Sequence, residues 1–374
     1  MSSENFLKAV YFLKQVQNIG NIKILNILNS FKNPDDIFKA GESEFIRIEG
    51  ITHTAYKAIA GARKNLQEIE RKYDSLRDKC ERKGIKIITI NDEEYPSNLK
   101  KIFNAPVILY YKGRLDASDE YSIGVVGTRY CSEYGYNSCT KIVEELAEKK
   151  IPIISGLAKG IDSVAHVTAL KNNTLTYAVL GCGVDVIYPA ENRKIYEEIE
   201  SKGALISEYE PGAKPDKGNF PDRNRIISGI SLGILVVETG LKGGSLLTTG
   251  FALDQNREIF AVPASIFQKR FEGTNDMIKK GVAKLTSSAE DILIELDFRL
   301  KDYLSDKEFD NEEKVLALNM FEKTLYDTLN HEPMYIDEIS EKSNLSISDC
   351  LVYLLSLEFK SLIRQLPGKR FVKR

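Results

Sequence analysis

Residues 121–127 read YSIGVVG, 151–156 IPIISG, 176–181 TYAVLG and 233–238 GILVVE. Each is a short β-branched run closing on a glycine or an acid, and helix-length segments such as CSEYGYNSCTKIVEELAEKK, residues 131–150, lie between the later runs. Apolar strands alternating with helices indicate a parallel sheet covered on both faces. Adding IKIITI from Ile85, PVILYY, ALISEY and EIFAVPA extends this central α/β domain over 85–295, a doubly wound, mostly parallel, Rossmann-type sheet.

Outside that domain the pattern changes. Residues 1–80 are helical by period, with apolar positions at 3–4 spacing in FLKAVYFLKQV and IKILNILNSF. Asn18-Ile19-Gly20 and Gly50-Ile51-Thr52 resemble the G-h-G turn of a helix-hairpin-helix motif, each with one of its two glycines. Either this region touches DNA or, the reading favoured here, it is a small helical interaction or packing domain. Residues 296–313 are expected to be an acidic linker; from Asp297 to Glu313 there are seven acids and three bases. Residues 314–374 then give three helices and a hairpin around Pro367-Gly368, the plan of a winged helix. The last of those helices starts with a capping box from Ser346 to Asp349.

Composition narrows the function classes. The chain has 374 residues, more than one domain of roughly 150 residues needs. With 43% hydrophobic residues it holds sizeable cores, which excludes wholesale disorder. Its 52 basic and 54 acidic residues argue against coating nucleic acid by bulk charge, although local patches remain open. Three distant histidines (His53, His166, His331) leave little for a metal site or a triad. Five cysteines without a CxxC pair read as reduced thiols. No signal peptide or membrane-spanning run is evident, so a cytoplasmic protein without a membrane partner is expected.

The strand ends locate the chemistry. In an open α/β sheet ligands bind at the carboxyl ends of strands, where glycines let backbone amides approach an anion. Here these ends carry Gly127-Thr128-Arg129, Ser155-Gly156 with Lys159, Gly181-Cys182-Gly183, and Thr239-Gly240-Leu241-Lys242-Gly243-Gly244-Ser245. Any one of them alone is satisfied as a tight turn; four together, three with a base, favour anion binding. There is no GxxxxGK[ST], and a lone GxG on the third strand of the unit makes a weak dehydrogenase signal.

The segment KPDKGNFPDRNRIIS, residues 214–228, places Lys214, Lys217, Arg223 and Arg225 around Phe220. Bases around an aromatic suit single-stranded nucleic acid, where cations hold phosphates and a ring stacks on an unpaired base. The bland alternative makes Phe220-Pro221 a hydrophobic staple before a helix starting near Asp222, with exposed arginines on its first turn. Arginine at a helix N-terminus is unfavourable without an anion, which favours function. Asp162 and His166, four apart, are expected to hydrogen-bond as a helix-stabilising pair rather than to act in catalysis.

Together these segments resemble the DNA-processing protein A family (DprA/Smf). The matching residues are Val126-Gly127-Thr128-Arg129 with Tyr134-Gly135, SGLAKGID with Ala165-His166, AVLGCGVDVIYPAEN and ISEYEPG. They continue with FPDRNRIISGIS and GGSLLTTGFALDQNREIFAVPA and end at Glu272-Gly273-Thr274-Asn275. The resemblance implies an extended Rossmann domain between a SAM-like helical domain and a winged helix. It implies a non-enzymatic single-stranded DNA-binding protein, without cofactor, metal or catalytic residue, that protects DNA and loads RecA recombinase in natural transformation. A homodimer through the Rossmann domain is also implied.

Carried across by motif, Arg129, Lys217, Phe220, Arg223, Asn224 and Arg225 are DNA contacts, and amides near Gly156, Gly244 and Ser245 receive phosphates. Gly127, Thr128, Ser155, Lys159 and Lys242 complete the expected DNA-binding set. Thr128 stands where many members have serine, and Ala264 where the family usually has glycine. The alternative function is a Rossmann nucleotide-binding protein, or a hydrolase of an N-glycosidic bond in a nucleotide-derived small molecule. Against the hydrolase, KGGSLLTTG lacks the catalytic glutamate of the PGGxGTxxE segment, leaving Glu238 as the conceivable acid.

The last helix of the winged helix has no Arg, Lys, Asn or Gln over 346–358, so major-groove readout by it is not expected. From Phe359 on, Lys360, Arg364, Lys369, Arg370, Lys373 and Arg374 occur with no acid; they either hold phosphates or form a solvated terminus.

Overall fold

The computed structural model describes residues 3–301, 303–304, 318–330, 332–360 and 362–373. It forms two compact units, Met1–Leu296 and Asp297–Arg374.

The first unit is built on nine strands: β1 Lys86–Thr89, β2 Ile108–Gly113, β3 Ile123–Val126, β4 Ile153–Ser155, β5 Thr176–Val179, β6 Ala204–Ser207, β7 Gly233–Val236, β8 Glu258–Ala261 and β9 Lys284–Leu285. Their order is β1-β2-β6-β5-β4-β3-β7-β8-β9, parallel from β6 to β9, with β2 antiparallel to both β1 and β6. Strands β3, β5, β6 and β7 are buried at every residue, as a sheet covered on both faces requires. From β3 the chain winds one way through β4, β5 and β6, then returns to the other side of β3 with β7. The crevice between β3 and β7 is therefore the topological switch point where such sheets bind ligands.

The N-terminal helices Ser3–Lys14, Asn21–Ser30, His53–Arg63 and Leu66–Arg82 do not close a core of their own. Ala9, Phe12, Ile27, Tyr73 and Cys80 share one apolar cluster with Val107, Ile108 and Tyr110 around β2 and with Val184 from the loop after β5. Both motif-like turns keep the same backbone. Asn18 (φ 61°) and Gly50 (φ 78°) take the left-handed region, and Gly20 and Thr52 cap the next helix. Asparagine tolerates that region, so the missing glycine costs the first turn little.

Among the described residues of the second unit, helices Met320–Thr328, Ile336–Ser343 and Ile347–Phe359 make the helical part of the winged helix, and β10 Met334–Tyr335, β11 Ile363–Leu366 and β12 Arg370–Lys373 form the wing in the order β10-β12-β11. Leu325, Ile339, Cys350, Leu354, Leu357, Ile363 and Phe371 close its core. The hairpin turns on Gly368 (φ 85°) and Lys369 (φ 56°). The expected box at Ser346 is only half made. Ser346 Oγ accepts from Asp349 N (3.1 Å), but the Asp349 carboxylate takes the Ser346 hydroxyl (2.6 Å). Of the expected linker, 302 and 305–313 lie outside the described residues. Residues 297–301 are helical, and Leu300 is buried, because this acidic stretch still carries an apolar side.

Candidate nucleic-acid interface

The site grows from the loop after β4. Leu157 (φ 55°) and Gly160 (φ 78°) turn Ser155–Gly160 back on itself, and a Cβ on Gly160 would lie 2.3 Å from Thr128 O. Asp162, at the start of helix Ile161–Lys171, holds the loop by accepting from Gly156 N (3.1 Å) and Ala158 N (3.3 Å). The Gly156 amide, expected to receive a phosphate, is thus already engaged inside the fold. What Gly156 contributes is room: a Cβ there would sit 2.5 Å from Arg223 Nη2.

Arg223 is the floor of the site. Its Nη1 donates to Gly156 O (2.7 Å) and to Val179 O, and its Nε to Asn224 Oδ1 (3.2 Å). Burial lowers its pKa and Asp162 opposes that shift; arginine keeps its charge regardless. Burial likewise pushes the Asp162 carboxyl up, against Arg223 and the loop amides that favour its charged form.

Helix Asn219–Ile230 starts three residues earlier than a helix near Asp222, so Phe220 is in its first turn and is not a staple ahead of it. Its two arginines are buried, not exposed. Asn219 Nδ2 donates to Gly181 O (3.1 Å), and a Cβ on Gly181 would meet the Phe220 ring at 2.8 Å. The first glycine of the GxG therefore makes space for an aromatic ring. Phe220 leans on Tyr188 (centroids 5.4 Å apart) with the Arg223 guanidinium 6.0 Å from its centroid. A cavity of about 230 Å³ results, lined by Arg129, Lys159, Tyr188, Phe220 and Arg223 among others. Arg129 is exposed at its rim, and Lys159 pairs with Glu191 at the surface.

Of the expected set, the structure thus brings together Arg129, Gly156, Lys159, Phe220 and Arg223. The other residues lie outside this lining. Gly127 packs close to Ile161, and Thr128 donates from its amide to Glu238 O (2.8 Å). Ser155 is fully buried with its hydroxyl on Val125 O (2.6 Å). Asn224 is occupied by Arg223, and Arg225 turns away to an ion pair with Glu208. Lys217, Lys242 and Gly244 are exposed on loops, while the Ser245 hydroxyl donates to Thr239 Oγ1 (2.8 Å). Sequence reasoning did not single out Tyr130, 79% exposed, or Tyr188; both come from loops without a local pattern.

Two further expectations are corrected or sharpened. Asp162 and His166 do not bond each other. His166 Nδ1 reaches Thr176 Oγ1 (2.7 Å), whose own proton goes to Ile153 O (2.8 Å), so Nδ1 is the donor. Burial, with Arg223 nearby, pushes the His166 pKa down to about 3. Glu238, the acid a hydrolase would need, is fully buried; its Oε2 accepts from Ser132 N and Oγ (both 2.8 Å).

Among the described residues no group of three or more His, Cys, Asp or Glu could hold a metal ion, and no helix is long and apolar enough to cross a membrane.

Fold and site together define a Rossmann-type protein whose carboxyl sheet edge carries a cationic and aromatic pocket over β3, β4 and β5, joined in sequence to a winged helix. Residues 86–297 match the family model described as DNA recombination-mediator protein A, and residues 317–369 match the DprA winged helix domain. The chain is 32% identical to Protein Smf of Synechocystis over 96% of this chain and 97% of that one. It is 37% identical to the DNA processing protein DprA of Streptococcus pneumoniae over 77% of this chain and 98% of that protein. The solved S. pneumoniae structure superposes with a TM-score of 0.66 at 34% identity, over 78% of this chain and 97% of the other. A Helicobacter pylori DprA structure, described by its single-stranded DNA binding mode, matches with a TM-score of 0.51 at 28% identity, over 58% and 96%. The chain belongs to the DNA-processing protein A (DprA/Smf) family of DNA recombination mediators.

Proposed function

We propose that this protein binds single-stranded DNA without sequence preference in the pocket at the carboxyl edge of the sheet, and that it acts by binding rather than by catalysis. The observation that carries the reading is the pairing of an accessible aromatic platform, Phe220 against Tyr188, with Arg129 and Lys159 at the same cavity. Rings stack on unpaired bases of any identity and cations follow the backbone. A duplex offers no free base face, so the pocket selects single strands. Lys217 and Lys242, exposed on neighbouring turns of the same edge, extend the path for phosphates. Kinship with the H. pylori protein, whose structure is described by its single-stranded DNA binding, supports the same ligand here. By family membership we extend the proposal to protection of incoming DNA in transformation, delivery to a RecA-type recombinase, and a homodimer through the Rossmann domain joining two pockets.

The test is fluorescence anisotropy with labelled oligo-dT of roughly 20–30 nucleotides against a matched duplex over a salt series. The expected result is tight single-strand binding with a steep salt slope, weakened in Arg129→Ala and Lys217→Ala. Equal affinity for duplex, or variants that bind like the parent, would move binding elsewhere on the chain.

A further inference from the structure

The two loops that carry the pocket's rings are held from outside the sheet. One follows β5 and runs from Gly181 to Tyr188; the other follows β6 and leads to Phe220. They are tied to each other, with Gly183 N donating to Ala213 O (2.9 Å) and Gly212 N to Asp185 Oδ1 (2.5 Å). Polar attachments then join them to the N-terminal helical region, among them Lys14 Nζ on Glu208 O and Gln15 Nε2 on Glu210 Oε1 (both 3.4 Å). Lys83, capping helix Leu66–Arg82, binds the other Asp185 oxygen (2.6 Å), and Lys79 of that helix donates to Pro211 O (2.5 Å). Asn21 Nδ2, opening the second helix, donates to Glu208 Oε1 (2.7 Å), while the Glu208 Oε2 takes Arg225 from the helix that bears Phe220. Val184, four residues before Tyr188, is fully buried in the helical core.

We propose that the N-terminal helices set the position of Tyr188 and Phe220, with Lys83 and Asn21 as positioning residues that tune single-strand affinity without touching DNA. The inference rests on the pocket being the single-strand site. Asp185 is the key joint: one carboxylate links a lysine of the helices to the backbone of both loops. Lys83 is half-exposed (47%) and Asp185 nearly buried (7%), so a carboxylate that loses the lysine keeps the Gly212 amide, and the thermal melt separates a local change from a global one. The effect of the Lys83–Asp185 pair is on which loop arrangement is populated, and affinity falls in proportion to the fraction of molecules whose loops are competent.

The experiment is oligo-dT anisotropy with the full chain for Lys83→Met, Lys83→Arg, Asn21→Ala and the Lys83→Met/Asn21→Ala pair, each with a thermal melt and each repeated in a Phe220→Ala background. If the competent fraction falls to between a third and a tenth, the pair binds ~3–10-fold more weakly with melting little changed. Lys83→Arg restores most of the affinity. In the Phe220→Ala background the pair adds a smaller loss than in the parent, because only Tyr188 is left to be positioned. Unchanged affinity in the pair, or the same loss with and without Phe220, overturns the proposal. Phe220→Ala binding as tightly as the parent would instead overturn the pocket reading on which it rests.

Discussion

Two helices of nearly equal length, Asn219–Ile230 and Ile347–Phe359, occupy places where their folds commonly meet nucleic acid, and they are built on opposite plans. The first opens on an accessible ring and sends its arginines inward, so that Arg223 braces the loops after β4 and β5 while the accessible cations come from neighbouring turns. The second has no base along its length and presents Ile347, Leu351, Val352, Leu355 and Phe359 as a partly exposed apolar face. On the wing, Arg370 and Lys373 lie over Tyr335 and Tyr326 of their own unit. On the proposed reading, nucleic-acid capacity here follows from how loops converge at a sheet edge. The motif name of a helix does not confer it.

The largest effect expected from this contrast is at Arg223. Arg223→Met leaves two carbonyls and Asp162 without their buried cation, and should cost about 3–5 kcal/mol in urea unfolding together with loss of single-strand binding. A cost under about 1 kcal/mol would mean that the guanidinium is not the floor of the site. Phe220→Ala comes next: loss of one stacking partner removes ~1–3 kcal/mol of oligo-dT affinity. Because the ring is only part-buried, the unfolding free energy should change less than the binding does.

A smaller effect separates the units by pH. His166 has its folded pKa depressed to about 3, so its contribution is fully present above an unfolded pKa of ~6.5 and is lost as pH falls toward 3. Between pH 7 and 5.5 the first unit should lose about 1.2 kcal/mol, measured by urea midpoints, and His166→Leu should flatten that slope. Glu322 in the winged helix is pushed up by burial but held below the usual range by Lys360, Ser356 and the Asn319 amide. Its contribution is therefore present above the ordinary carboxylate pKa and is lost as pH falls from there through its depressed folded value. The smallest effect is at the winged helix itself: Leu355→Glu should leave oligo-dT affinity unchanged within about two-fold, against the loss at Phe220.

Much of the sheet was legible because its strands are buried on both faces and close on glycines, as at Gly127 and Gly181. The carboxyl-edge site followed from that topology. What the chain alone did not convey was direction. Arg223 and Arg225 read as exposed cations, yet a helix face is inward or outward only by what packs on it, and here Gly156, Val179 and Glu208 claim them. Asp162 looked like a partner for His166 by spacing, but the tight turn at Leu157 aims two amides at it first. Tyr130 and Tyr188 sit on irregular loops, where periodicity carries no signal. The sharing of one core between the N-terminal helices and β2 depends on Val184, a residue indistinguishable in sequence from any strand-end valine.

The most direct test of the central claim is ultraviolet crosslinking of oligo-dT to the full chain, with the adducted peptides mapped by mass spectrometry. Adducts on Phe220, Tyr188 or Tyr130 are expected, and they should disappear in excess unlabelled single strand but not in excess duplex. Adducts concentrated on residues 347–373, or competed equally by duplex, would contradict a strand site at the sheet edge.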